Sequence, residues 1–121
     1  MTRERQGQPD VPEEDLQRFA DCWNGARFFD AHETLEPRWI NTRDRGLRGL
    51  IQLAAAFHHL QRENLVGART TLERAMTRLS DPENAPCAID QPRLAQYAAR
   101  VLTSLGKIPA AEIIASRPRL P

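Results

Sequence analysis

The stretch Gly46-Leu47-Arg48-Gly49-Leu50-Ile51-Gln52-Leu53-Ala54-Ala55-Ala56-Phe57-His58-His59-Leu60-Gln61-Arg62 is the longest helical pattern in the chain. Its apolar residues at 47, 50, 51, 53, 54, 57 and 60 recur at the three- and four-residue spacing of an α-helix. They cover more than half of the circumference, where a surface helix would show one stripe. Residues 46–62 therefore predict a central helix with neighbours on several sides. Ala54, Ala55 and Ala56 favour helix and let another helix approach closely. One 121-residue domain can hardly cover so much apolar circumference, so a second copy or a protein partner is the expected complement.

On the N-terminal side, residues 26–39 form a second helical pattern. Phe28, His32, Leu35 and Trp39 share one face, and Arg27, Asp30, Thr34 and Arg38 the other. Pro37 cannot donate to the carbonyl of Glu33 and is predicted to kink or end this helix. Asp44 is a candidate cap for the helix that follows. Further upstream Leu16, Phe19, Ala20 and Trp23 recur at helical spacing, with Cys22 beside them as a small buried hydrophobe. Asp10 and Glu13 resemble a capping box, and Pro12 is tolerated in a first turn. Asn24-Gly25 marks a break, because both residues accept left-handed backbone.

On the C-terminal side, Asn64 breaks or caps the chain. A fourth helix then sets Leu65, Ala68, Leu72, Ala75, Met76 and Leu79 on one face. Residues 81–90 read as a loop. Pro92 suits the start of a fifth helix, which faces Leu94, Ala98, Val101, Leu102 and Leu105 inward and ends at Gly106. Residues 110–115 form one further short turn. Gly49 and Gly67, inside helical patterns, predict close helix–helix contact. No β-alternation or internal repeat competes with this pattern. The expectation is an all-α, compact bundle of about five helices in a single domain, with a flexible polar tail at 1–9, a helical domain at 10–115 and an extended tail at 116–121.

Seventeen basic against sixteen acidic residues leave a formal charge of +1, and the arginines are interleaved with acids. That balance argues against a nucleic-acid partner, which usually needs a basic stripe. Two cysteines, Cys22 and Cys87, are too few for a stapled secreted scaffold. The polar N-terminus does not read as a signal peptide, and the run Leu53–Phe57 is far shorter than a membrane span. A cytoplasmic location without membrane contact is expected.

Chemistry is most readable at His32-Glu33-Thr34-Leu35-Glu36, which looks like a broken zinc-protease signature with Glu36 where a second histidine would stand. His32 and Glu36 share a helix face. On the central helix Arg48, Gln52, Ala55, His59 and Arg62 form a polar stripe. Two polar interruptions of two apolar faces would most economically meet, since buried polar groups without partners are costly. One reading is a buried hydrogen-bond network of His32, Glu33, Glu36, Arg48 and Gln52 in a structural or protein-interaction domain. A second is a divalent metal ion held by His32, Glu36 and His59, giving a hydrolase-like site with Glu33 or Glu36 as base; no other cofactor is expected. A metal-free acid–base pocket built on His32, Glu33 and Glu36 is a third. His58 points elsewhere, to the surface or an interface, and Trp23 and Trp39 belong to the core or its edge.

These residues also resemble a known bacterial and archaeal family, the domain-of-unknown-function family 309. The resemblance rests on Asn24-Gly25, on Phe28-Phe29-Asp30-Ala31-His32-Glu33-Thr34-Leu35-Glu36 with Trp39, and on residues 48–56 with His59, Asn64 and Gly67-Ala68. It implies a small all-helical fold and no reaction. Two positions depart from the family pattern. Pro37 stands next to Glu36 where a helix-compatible residue is usual. Glu63 stands where a glycine is usual, so a left-handed turn is harder to make.

Overall fold

The computed structural model describes residues 13–85 and 87–121. Six helices follow one another: α1 (Glu13–Asn24), α2 (Phe28–Thr42), α3 (Arg45–Gln61), α4 (Leu65–Leu79), α5 (Gln91–Ser104) and the short α6 (Ala110–Ala115). No strand occurs among the described residues, and no helix is long and apolar enough to cross a membrane. The fold is the all-α bundle the periodicity predicts. The capping-box residue Asp10 and the tail at 1–9 lie outside the described residues.

Local chemistry explains most helix ends. The Asp44 carboxylate accepts from the N–H groups of Gly46 at 2.8 Å and Leu47 at 3.2 Å, starting α3. Asn64 does the same for α4 through Gly67 N–H at 3.0 Å, and Asp90 for α5 through Arg93 N–H at 3.1 Å. Three turns place non-glycine residues in left-handed backbone: Ala26 at φ 59°, Arg43 at 56° and Glu63 at 58°. At the first break the left-handed residue is thus Ala26 and not Asn24 or Gly25. Glu63 adopts the turn for which the family pattern favours glycine.

Helix α2 also differs from expectation. It runs through Pro37 to Thr42 and ends in a left-handed cap at Arg43. Pro37 is on the exposed side, so the Glu33 carbonyl it leaves without a donor can turn to water.

Helix α3 is central. Eleven of its seventeen residues are buried, and it packs against α2, α4, α5 and α6. Its broad apolar surface is therefore covered from within the chain, and a second subunit is not needed for that purpose. Trp23, Phe28 and Phe57 join α1, α2 and α3 in an aromatic cluster with ring centres 4.8–5.3 Å apart. Gly49 faces Leu79 so closely that an added Cβ would fall 2.8 Å from Leu79 Cγ. This is the tight contact its place in a helical pattern predicts.

The segment after α6 closes the bundle. Arg117 donates from Nε to the carbonyl of Trp23 at 3.0 Å, from Nη2 to that of Asn24 at 2.7 Å, and from Nη1 to that of Ile114 at 2.7 Å. One guanidinium thus serves the last turns of two helices, where unpaired carbonyls gather. Trp23 Nε1 donates to the Pro118 carbonyl, and the Asn24 amide pairs with both backbone groups of Leu120. Leu120 is buried. Tyr97 of α5 lies against Phe57 with ring centres 6.1 Å apart. Its hydroxyl is buried without a partner among the described residues, and burial pushes its pKa up to about 12.

Candidate functional site

Helix α2 carries His32, Glu33 and Glu36, and its 3.6-residue period sets how they point. Phe28, Ala31 and Leu35 are buried against the core. His32 and Glu36 sit beside that face, half-buried, with His32 Nε2 3.9 Å from Glu36 Oε2. That is an ion-pair distance and too long for a hydrogen bond. Glu33 is exposed. The ring of Phe29, itself 48% exposed, lies 5.8 Å from His32 and 5.4 Å from His58. Nδ1 of His32 and Nδ1 of His58 are both buried without a hydrogen-bond partner among the described residues. The histidine that joins His32 around a common neighbour is therefore His58.

The polar stripe of α3 faces α4. Gln52 is buried and its Oε1 accepts from Arg78 Nη1 at 3.2 Å. His59 Nδ1 lies 3.2 Å from Asn64 Nδ2 at the start of α4. An added Cβ at Gly67 would approach that same nitrogen to 2.8 Å, so His59 is packed into the α3–α4 turn. Arg48 reaches to the end of α2, where its guanidinium lies 4.2 Å from the centre of the Trp39 ring, with Arg43 at 4.6 Å.

The six polar residues thus fall into four places. His32 and Glu36 stay together on α2 with Glu33 on the exposed side. Arg48 joins Trp39, and Gln52 joins Arg78. His59 belongs to the α4 cap. The expected metal site of His32, Glu36 and His59 is overturned. No group of three or more His, Cys, Asp or Glu side chains that could hold a metal ion occurs among the described residues. The physical reason is angular: at about 100° per residue His59 turns toward Asn64 and Gly67, away from α2, so the imidazoles do not converge.

Arg78 is a member of the site that periodicity alone did not single out. Burial, and then repulsion from Arg48, Arg45 and Arg74, holds its pKa below the ordinary arginine value. A signal existed in retrospect: Arg45 and Arg48 on α3, and Arg74 and Arg78 on α4, each repeat at one helical turn. Arg45 is paired with Asp81 at 3.0 Å.

Cavities lie elsewhere. One of about 440 Å³ runs along the 81–92 loop and includes Leu79, Cys87 and Gln91. Another of about 430 Å³ lies between α5 and the C-terminal segment and includes Tyr97 and Leu120. Both cysteines are free.

No curated protein and no solved structure matches the chain. Residues 16–71, from the first buried leucine of α1 into α4, match the family model described as Domain of unknown function (DUF309).

Proposed function

We propose that this domain acts by binding rather than by catalysis, and that it pairs with a second copy of itself through the outer side of α2. The observation that carries the reading is an apolar pair left outside the core. Phe29 is 48% and Ile40 54% exposed, and with Glu33 and Glu36 between them they share one side of α2. The same side is segregated in charge. Glu33 and Glu36 occupy its first half, and Arg43 closes its end. A two-fold axis reverses one helix against the other. Phe29 of one copy then approaches Ile40 of its partner, and the acidic half meets the basic end. His32 and His58 support Phe29 as a platform. Arg48, Gln52 and His59 serve the internal packing of α2, α3 and α4.

A catalytic reading has less support. The His32–Glu36 pair is loose, and among the described residues no group orients His32 through Nδ1. The test is the mass in solution across the micromolar range. Sedimentation or light scattering is expected to give twice the chain mass, and the double variant Phe29→Asp, Ile40→Lys the single chain mass with unchanged helix content. A wild-type chain that stays monomeric overturns the pairing.

A further inference from the structure

Four arginines gather where the start of α3 meets the end of α4. The contact of Gly49 with Leu79 draws the two helices together. Arg45 and Arg48 stand one turn apart on α3, and Arg74 and Arg78 one turn apart on α4; Arg78 bonds Gln52 of α3, and Arg45 pairs with Asp81 just past the end of α4. Among the described residues, Asp81 is the carboxylate within salt-bridge distance of this group, and it is engaged by Arg45. Arg78 is held by a neutral acceptor, the Gln52 amide oxygen. Arg48 is braced against Trp39. The chain as a whole carries a formal charge of only +1, so this concentration is a local segregation of charge. Like charges brought together oppose folding, and burial, with repulsion from Arg48, Arg45 and Arg74 after it, holds the pKa of Arg78 below the ordinary arginine value. An anion at this place would relieve that repulsion.

We propose that the Arg45–Arg48–Arg74–Arg78 cluster is a binding site for a small molecule that carries a chain of two or three phosphates. Guanidinium forks match phosphate oxygens in paired geometry, and two of the four are already held in place by Gln52 and Trp39. A single phosphate can face only part of the cluster, whereas a di- or triphosphate has charge for all four. Nucleic acid fits less well, because its phosphates need a basic track longer than two turns on two adjoining helices.

The experiment uses the full chain and inorganic tripolyphosphate, with sodium chloride and sodium sulfate at matched ionic strength as controls. Calorimetric titration and thermal unfolding are read together. Saturable binding is expected, with a rise in melting temperature beyond that in either control salt. Arg48→Gln and Arg78→Gln should each weaken binding about tenfold. Arg119→Gln, distant on the C-terminal segment, should leave it unchanged. A nucleoside triphosphate that binds more tightly than tripolyphosphate would show that the natural ligand bears a base. Stabilisation no greater than in sulfate, or binding indifferent to Arg48 and Arg78, overturns the proposal. So does tight binding of an oligonucleotide with none of tripolyphosphate.

Discussion

Tyr97 shows how a single buried atom ties stability to pH. Its hydroxyl is buried without a partner among the described residues, and the neutral form is favoured in the fold. The folded pKa of about 12 lies above the unfolded value of about 10. Between these values the unfolded chain loses its proton first, so stability falls as pH rises through that window and is intact below it. Tyr97→Phe should therefore match or exceed wild type at about pH 8 and lose less on going to about pH 11. Urea unfolding of both chains at the two pH values checks this, and equal losses would contradict it. Single-residue features of the chain were unevenly legible. The caps at Asp44 and Asn64 were readable because a cap and its helix are neighbours in sequence. The partners of Gln52 and His59 were not, since each depends on which helix the polar stripe faces. Ala26 and Glu63 show the same limit for backbone, because packing imposes left-handed geometry on residues that do not prefer it.

At the scale of elements, hydrophobic period was a sound guide and single breakers were not. Pro37 predicts a kink in α2 or its end, yet the helix continues to Thr42 because Leu35 is fully buried and Trp39 packs beyond the proline. Packing of a whole face outweighs the one hydrogen bond that proline removes. Gly49 was read correctly as a contact residue, and its neighbour can now be named. Gly49→Ala should gain about 1 kcal/mol in helix propensity and lose more by pushing Leu79, whose own backbone lies 3.2 Å from the added carbon. The expected net change is a loss of about 1–2 kcal/mol, measured by chemical denaturation. A net gain would mean that α4 moves away freely. The metal reading failed at this scale too: His32 and Glu36 were rightly placed on one helix, but the facing direction of a second helix cannot be taken from its period alone.

For the molecule as a whole, the bundle was legible and its closure was not. Residues 116–121 read as an extended tail, and nothing in their spacing announces that Arg117 will reach three carbonyls or that Leu120 will pair with Asn24. Arg117→Met keeps the aliphatic stem and removes the donors. It should cost about 2–3 kcal/mol by leaving carbonyls of α1 and α6 unpaired. Thermal and urea unfolding check the prediction, and a change below about 0.5 kcal/mol would show that water replaces the guanidinium at no cost.

That closure also sets an order of events. From α1 to α5 the most extensive contacts join helices adjacent in sequence, so most of the bundle can assemble through short loops. The bond between Trp23 and Pro118 spans 95 positions and can form only after residue 118 has been made. On the ribosome, the last carbonyls of α1 wait for Arg117 while the neighbouring helices are already docking. A clasp that rests on such long-range bonds is expected to close late in folding and open early, so amide hydrogens at Leu120 should exchange ahead of those in α3.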